Sequence, residues 1–303
     1  MKALCVYGEE QARRFATQHV DTIVGQATGV READVEAVHD MRVASRRLRA
    51  TLSEFEDNFE PDGWAALREQ ARRVTTGLGR ARELDVTLEL VDEIAGDLKG
   101  KTKKAAAKLS GWLANERSAF SKEVSAVAND VDSGAFDKGL ARLLEGAAPS
   151  ERCYSERAAR RLGRRLKRLN KYHRKWRATL VEEHLHAVRI QFKKLRYACE
   201  LYEDAYGDKM RPILKSLKGT QRALGAWNDL RILRDYLQTF AEKADSRGIT
   251  ALVEEVDTRT LAALESATDR CESFFTETEL QSLAEIFERP HLECCAAPMS
   301  ESR

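Results

Sequence analysis

The feature that most constrains this chain is an eleven-residue pattern that occurs twice. His39-Asp-Met-Arg42-Val-Ala-Ser-Arg46-Arg47-Leu48-Arg49 returns as His186-Ala-Val-Arg189-Ile-Gln-Phe-Lys193-Lys194-Leu195-Arg196. In both copies cations follow the histidine at three, seven, eight and ten residues, and a leucine stands between the last two. Spacings of three and four gather side chains on one side only if the backbone is helical. His39, Arg42, Arg46 and Arg49 then form one stripe, as do His186, Arg189, Lys193 and Arg196, each about 15 Å long. One residue back, Val38, Met41, Ser45, Leu48, Leu52 and Phe55 form the core-facing row, matched by Leu185, Val188, Phe192, Leu195, Cys199 and Tyr202. The basic row lies roughly 100° around the helix from that row, at the edge of the core.

Like charges at such spacings repel, so a cationic row without an acid in register is unfavourable until an anion neutralises it. Two such rows point to a polyanion ligand. The charge distribution agrees. The net charge is only +2, yet residues 151–178 hold twelve Lys or Arg against two Glu, leaving 39 of the 51 basic and 47 of the 49 acidic groups elsewhere. Within that run Arg157, Arg161, Arg164, Arg168, Lys171 and Lys175 make a basic stripe of their own, with Leu162, Leu166, Leu169 and Trp176 as its buried edge. A solvated helix usually alternates its charges; this one does not. Downstream, Arg211, Lys215, Lys218 and Arg222 repeat the four–three–four register. The first-half counterparts are thinner: Arg13, Arg14, Arg68, Arg72 and Arg80.

Apolar positions recur at three and four almost throughout, Ala, Leu, Arg, Glu and Lys dominate, and there are only five prolines. The chain is therefore read as all α-helical, with helices near 6–27, 32–59, 62–79, 82–98, 101–129, 154–181, 183–206, 210–224, 227–245 and 248–282. Asp132-Ser-Gly and Gly146-Ala-Ala-Pro149 mark a linker near 130–150. We expect a first helical half over 1–145, a second over 146–285, and a loose tail over 286–303. The duplication extends to Leu78-Gly79-Arg-Ala-Arg82-Glu83-Leu84 and Leu224-Gly225-Ala-Trp-Asn228-Asp229-Leu230. Homologous halves of this kind usually pack about a pseudo-two-fold axis, which would pool the basic stripes in one cleft or channel. Six cysteines without a C-x-x-C pair fit reduced thiols, and no apolar stretch reaches a membrane span or a secretion signal, so a cytoplasmic location is expected.

The paired H-x-x-R-x-x-x-(R/K)-(R/K)-x-R helices, each followed by L-G-x-x-(R/N)-(D/E)-L, resemble the CHAD domain, named for a conserved histidine in an α-helical fold. The resemblance spans about residues 5–285. It implies two helical bundles related by a pseudo-two-fold, with a central basic surface that binds inorganic polyphosphate. Carried over by position, it implies binding by His39, Arg42, Arg46, Arg47 and Arg49, and by His186, Arg189, Lys193, Lys194 and Arg196. Ala187 departs from the first copy, which has Asp40 beside its histidine. Family members are often fused to a CYTH triphosphatase domain bearing an E-x-E-x-K strand. The nearest string here, Glu277-Thr-Glu279-Leu-Gln281, lacks the lysine, so the chain resembles a stand-alone binding domain and no enzymatic activity is expected.

To these positions the charge pattern adds Arg13, Arg14, Arg157, Arg161, Arg164, Arg168, Lys171, Lys215, Lys218 and Arg222. Arginine forks hold phosphate oxygens in fixed geometry and lysines act as mobile charges, a mixture suited to a base-free polyanion. Few aromatics interleave with the stripes, unlike in modules that stack nucleobases. The rival reading is a scaffold that docks RNA, acidic proteins or storage granules. His39 and His186 read either as helix-edge histidines held by a partner such as Asp85 or Asp229, or as phosphate donors. No cofactor is expected, and no metal: Glu182, His184 and His186 lack a further ligand at a recognisable spacing. Gly96-Asp-Leu-Lys-Gly100-Lys101-Thr102 is one residue short of a P-loop and follows a helix, so it reads as a turn.

Overall fold

The structure, a computed structural model, describes residues 6–150, 152–242 and 247–291. Among these there is no strand: the fold is all α. The two motif helices are α3 (Val35–Glu54) and α10 (Glu182–Leu201). Helix α3 starts at Asp34, whose carboxylate accepts the Glu36 amide at 2.9 Å and satisfies one of the unpaired donors of the first turn. Every residue of the two apolar rows, from Val38 to Phe55 and from Leu185 to Tyr202, is fully buried. Burial of that row leaves the basic row at the rim of the core.

The remaining helices are α1 (Val6–Gly25), α2 (Ala27–Arg31), α4 (Pro61–Gly77), α5 (Gly79–Asp97), α6 (Gly100–Ala119), α7 (Ser121–Asp130), α8 (Phe136–Glu145), α9 (Tyr154–Thr179), α11 (Glu203–Tyr206), α12 (Met210–Ala241), α13 (Arg247–Phe274) and α14 (Glu277–Glu288). The Gly96–Thr102 string is the turn between α5 and α6, with Gly100 at φ 59°. None of the described helices is long and apolar enough to cross a membrane.

Several boundaries differ from the sequence reading. The stretch read as a linker holds a π-helical turn, Val131–Ala135, and α8, which buries Phe136, Leu140 and Leu143. The expected helix 101–129 breaks at Phe120, and 248–282 breaks before Thr276, whose hydroxyl accepts the Glu279 amide and caps α14. Conversely, the two helices expected on either side of Gly225 are one, α12, because Leu224 and Trp227 are both fully buried and clamp the helix across the glycine. In the first half the matching Leu78-Gly79 does separate two helices, α4 and α5. Of the tail, residues 292–303 lie outside the described residues, as does Cys5; Cys199 and Cys271 are buried thiols, and the buried Cys153 Sγ lies 3.2 Å from the Ser155 hydroxyl.

Two apolar clusters form the core, and both draw on both ends of the sequence. The larger joins α1, α3, α4 and α8 to α9, α10, α14 and the first half of α12. The smaller packs the α5–α6 pair against the end of α12 and α13, through Leu84, Ile94, Leu109 and Leu113 on one side and Leu233, Leu237, Leu252 and Val256 on the other. Helices α3 and α10 touch each other, with α9 along α10, and the space beside that junction holds the candidate site.

Candidate functional site

Beside the α3–α10 junction lie two adjoining hollows of about 760 Å³ and 410 Å³, which share Arg42, Arg46, His186, Arg189 and Lys193 in their walls. The larger is walled by nine arginines and two lysines and by no carboxylate. Arg42, Arg46 and Arg49 come from α3, Arg68 from α4, Arg161, Arg164, Arg165 and Arg168 from α9, and Arg189, Lys193 and Lys194 from α10. The smaller hollow also takes in His39 from α3's first turns, and is closed by the start of α5, with Gly79, Arg82 and Glu83, and the middle of α12, with Asn228 and Asp229. Cations therefore concentrate at one end, and the two carboxylates stand at the other.

Packing so many cations in a partly enclosed space has an electrostatic cost that the side chains reveal. Burial, then the nearby Arg189 and Arg46, push the Lys193 ammonium down to about 7. Burial and Arg46 lower Arg42, burial lowers Arg189 against the pull of Asp229, 3.9 Å away, and burial with Arg68 lowers Arg49. Lys194 is lowered by burial and by Arg168. Only part of this charge is met by protein. Arg42 Nη1 donates to the Thr75 carbonyl at 2.6 Å, while Thr75 Oγ1 pairs with Ser45 at 2.9 Å, so α4 fixes the Arg42 fork. Gly79 keeps the first turn of α5 close by: a Cβ there would stand 3.5 Å from Arg42 Nη1.

The two histidines differ. His186 Nδ1 lies 2.8 Å from Asn228 Oδ1, and the Asn228 amide is oriented by its own donation to Asp229. An amide oxygen only accepts, so the proton sits on Nδ1 and Nε2 is the nitrogen that titrates. Burial lowers the His186 pKa, and the Asn228 bond opposes the shift. His39 lines the smaller hollow with no hydrogen-bond partner among the described residues. The expected carboxylate partners serve elsewhere: Asp85 is buried against Arg117 at 2.6 Å, and Asp229 faces Arg189. His184 bonds Thr179, and no group of three or more metal-ligating side chains occurs among the described residues.

Residues 14–238 match the family described as the CHAD domain, about three-quarters of the chain. The chain belongs to the CHAD domain family. Solved structures agree at the level of fold. The CHAD domain from the plant Ricinus communis superposes with a TM-score of 0.61 at 23% identity, covering 96% of this chain and 94% of that one. PptA from Streptomyces chartreusis gives a TM-score of 0.61 at 18% identity, covering 89% of this chain and 99% of that one. Comparison with curated protein sequences finds no match. The CHAD match ends before α13 and α14, yet α13 completes the smaller core cluster.

Across this CHAD fold the remaining expected residues scatter. Arg157, on the same stripe as Arg161, is 1% exposed: it donates to Asn58 Oδ1 at 2.5 Å and to the Ser150 hydroxyl, and lies over the Phe55 ring. Arg13 holds Glu9 and the Ala147 carbonyl, and Arg14 faces Asp204. Arg196 donates to Gln221 at 2.7 Å and Glu200 at 2.5 Å, while Arg47 reaches Glu200 from the other side at 3.6 Å. Glu200 stands four residues after Arg196, so the second basic row does have an acid in register. The acids missing from the 151–178 run come from α3 and the turn after it: buried Glu54 holds Arg165 and Glu56 holds Arg161. Lys171 projects from α9 outside both hollows, and Lys215, Lys218 and Arg222 line a separate groove with Arg270, Glu203 and Glu279. Arg165 and Arg68 are cavity residues absent from the expected set. Arg161, Arg165 and Arg168 share a four–three spacing as regular as the stripe chosen, so that signal was available.

Proposed function

We propose that this chain binds inorganic polyphosphate in the cavity between α3, α9 and α10, without cleaving it. The observation that carries the reading is the larger hollow, whose wall holds eleven Arg and Lys side chains and no carboxylate. A linear polyphosphate supplies about one negative charge per unit and asks only for ordered cations and donors, which Arg forks provide bidentately. His186 in its protonated form, and the first turn of α5 at Gly79, add donors at the far end.

Nucleic acid fits less well. Tyr197 is the sole aromatic in the larger hollow, and its ring is engaged by the Arg196 guanidinium at 4.7 Å and the Arg46 guanidinium at 5.7 Å. A ring so engaged is a poor platform for a base. Membership of the CHAD family, whose members bind polyphosphate in general, supports the same ligand.

Calorimetric titration with long-chain polyphosphate at two salt concentrations tests the proposal, with RNA and orthophosphate as controls. Tight binding that weakens steeply with salt, and that is markedly weaker in an Arg46→Gln, Arg168→Gln, Lys194→Gln variant of unchanged helicity, is the expected result. RNA that displaces polyphosphate as readily as the reverse would favour the scaffold reading instead. Unchanged polyphosphate chain length after incubation with magnesium or manganese is expected of a binder.

A further inference from the structure

Among the lysines of this chain Lys193 is set apart by its surroundings. It is half-buried on α10, one turn after Arg189, and it borders both hollows. The groups that face it are Arg42 and Arg46 from α3, His186 and Arg189 from its own helix, and Asp229 from α12. Across the smaller hollow, α5 contributes one cation, Arg82, and one carboxylate, Glu83. Guanidinium groups thus outnumber acids around the amine, and space for a small molecule adjoins it.

We infer that Lys193 is a site of covalent acylation by small acyl phosphates. The argument joins two properties rarely found together. Burial, and a cationic cluster that disfavours a further positive charge, leave about half of the amine unprotonated at neutral pH, with its nitrogen lone pair available. The same cluster offers Arg42, Arg46 and Arg189 to a phosphate group, so a reagent whose acyl carbon is one oxygen away from phosphorus is delivered beside that lone pair. The nitrogen attacks the carbonyl carbon, a C–N bond forms, and the C–O bond to the phosphate breaks. Orthophosphate leaves with the bonding pair and carries off the amine proton; nothing is oxidised or reduced. The product is a neutral amide that can no longer take up a proton. The inference rests on the proposed polyphosphate reading only in that acylation would then weaken binding at the same cavity.

The test uses the unmodified full chain and acetyl phosphate near pH 7.5, with peptides from Glu-specific digestion quantified by mass spectrometry. A free-amine fraction several hundredfold above that of an ordinary lysine, partly offset by the weaker nucleophilicity of a less basic nitrogen, leaves Lys193 about tenfold faster than exposed Lys215 and Lys218. Initial rates at the three lysines within about twofold of one another would overturn the inference. An uncharged active ester, p-nitrophenyl acetate, separates amine reactivity from phosphate docking: Arg46→Gln should slow Lys193 acetylation by acetyl phosphate more than by the ester, and equal slowing would overturn the docking step. Failure here remains distinct from failure of the binding reading. Polyphosphate that binds while Lys193 stays unmodified sinks only this inference, whereas rapid acetylation of Lys193 that excess polyphosphate does not suppress upholds it and counts against polyphosphate in the cavity.

Discussion

Lys193 also links ligand binding to protons. In the empty cavity its ammonium titrates near 7, and a bound polyanion must raise that value, so binding takes up a proton at any pH between the two. Affinity should hold near or below about pH 7 and then fall by up to about tenfold per pH unit as pH rises. Lys193→Arg, which keeps its charge, should flatten this alkaline fall, and calorimetry in two buffers of different protonation enthalpy should count one proton fewer. His186, lowered by burial, adds its charge only on the acid side. Arg157 makes the opposite case, a cation of the α9 stripe that serves the fold. Arg157→Ala leaves Asn58 and Ser150 without their donor in the core, and should cost about 2–4 kcal/mol in urea denaturation. Polyphosphate affinity of the folded variant should be unchanged. Periodicity placed both residues on a basic stripe; it could not distinguish them, because the partners of Arg157 come from positions 99 residues upstream and 7 residues upstream in an irregular turn.

At the scale of the helix, local pattern was a good guide to faces and a poor one to ends. The apolar rows of α3 and α10 were readable because burial repeats with the turn of the helix. The pair Leu78-Gly79 and Leu224-Gly225 shows where this stops: one sequence signal sits at the break between α4 and α5 and the other lies inside a 32-residue helix. Glycine disfavours a helix by only about 1 kcal/mol, less than burial of Trp227 contributes just beyond it. Tertiary packing therefore decides the outcome. A Cβ at Gly225 meets no heavy atom within 4 Å, so Gly225→Ala should stabilise the protein by about 0.5–1 kcal/mol, seen as a higher melting temperature, with polyphosphate affinity unaltered. A lower melting temperature would mean that α12 is not continuous at this point.

For the molecule as a whole, the question is whether total charge or its placement governs binding. Two positive regions compete for the role. The cavity beside α3 and α10 has no carboxylate in its larger hollow, whereas the α12 groove, about 1000 Å³ in volume, sets Lys215, Lys218 and Arg222 among Glu200, Glu203 and Glu279. Sequence spacing put both regions in the expected site because it counts cations along one helix and is blind to acids that other helices bring. Triple variants with the same loss of charge separate them. Arg46→Gln, Arg168→Gln, Lys194→Gln removes three cations that face one another across α3, α9 and α10, and should lower the slope of log affinity against log salt by about two. Lys215→Gln, Lys218→Gln, Arg222→Gln removes three cations from a groove that three glutamates also line, and should leave that slope within experimental error. If net charge alone attracted the polyanion, the two triple variants would weaken equally. Enclosure gives the physical reason to expect otherwise. In the cavity, burial raises the cost of the positive charge at Arg42, Arg189 and Lys193, whose pKa values it lowers, and a polyanion relieves that cost. In the open groove water and the glutamates have done so beforehand.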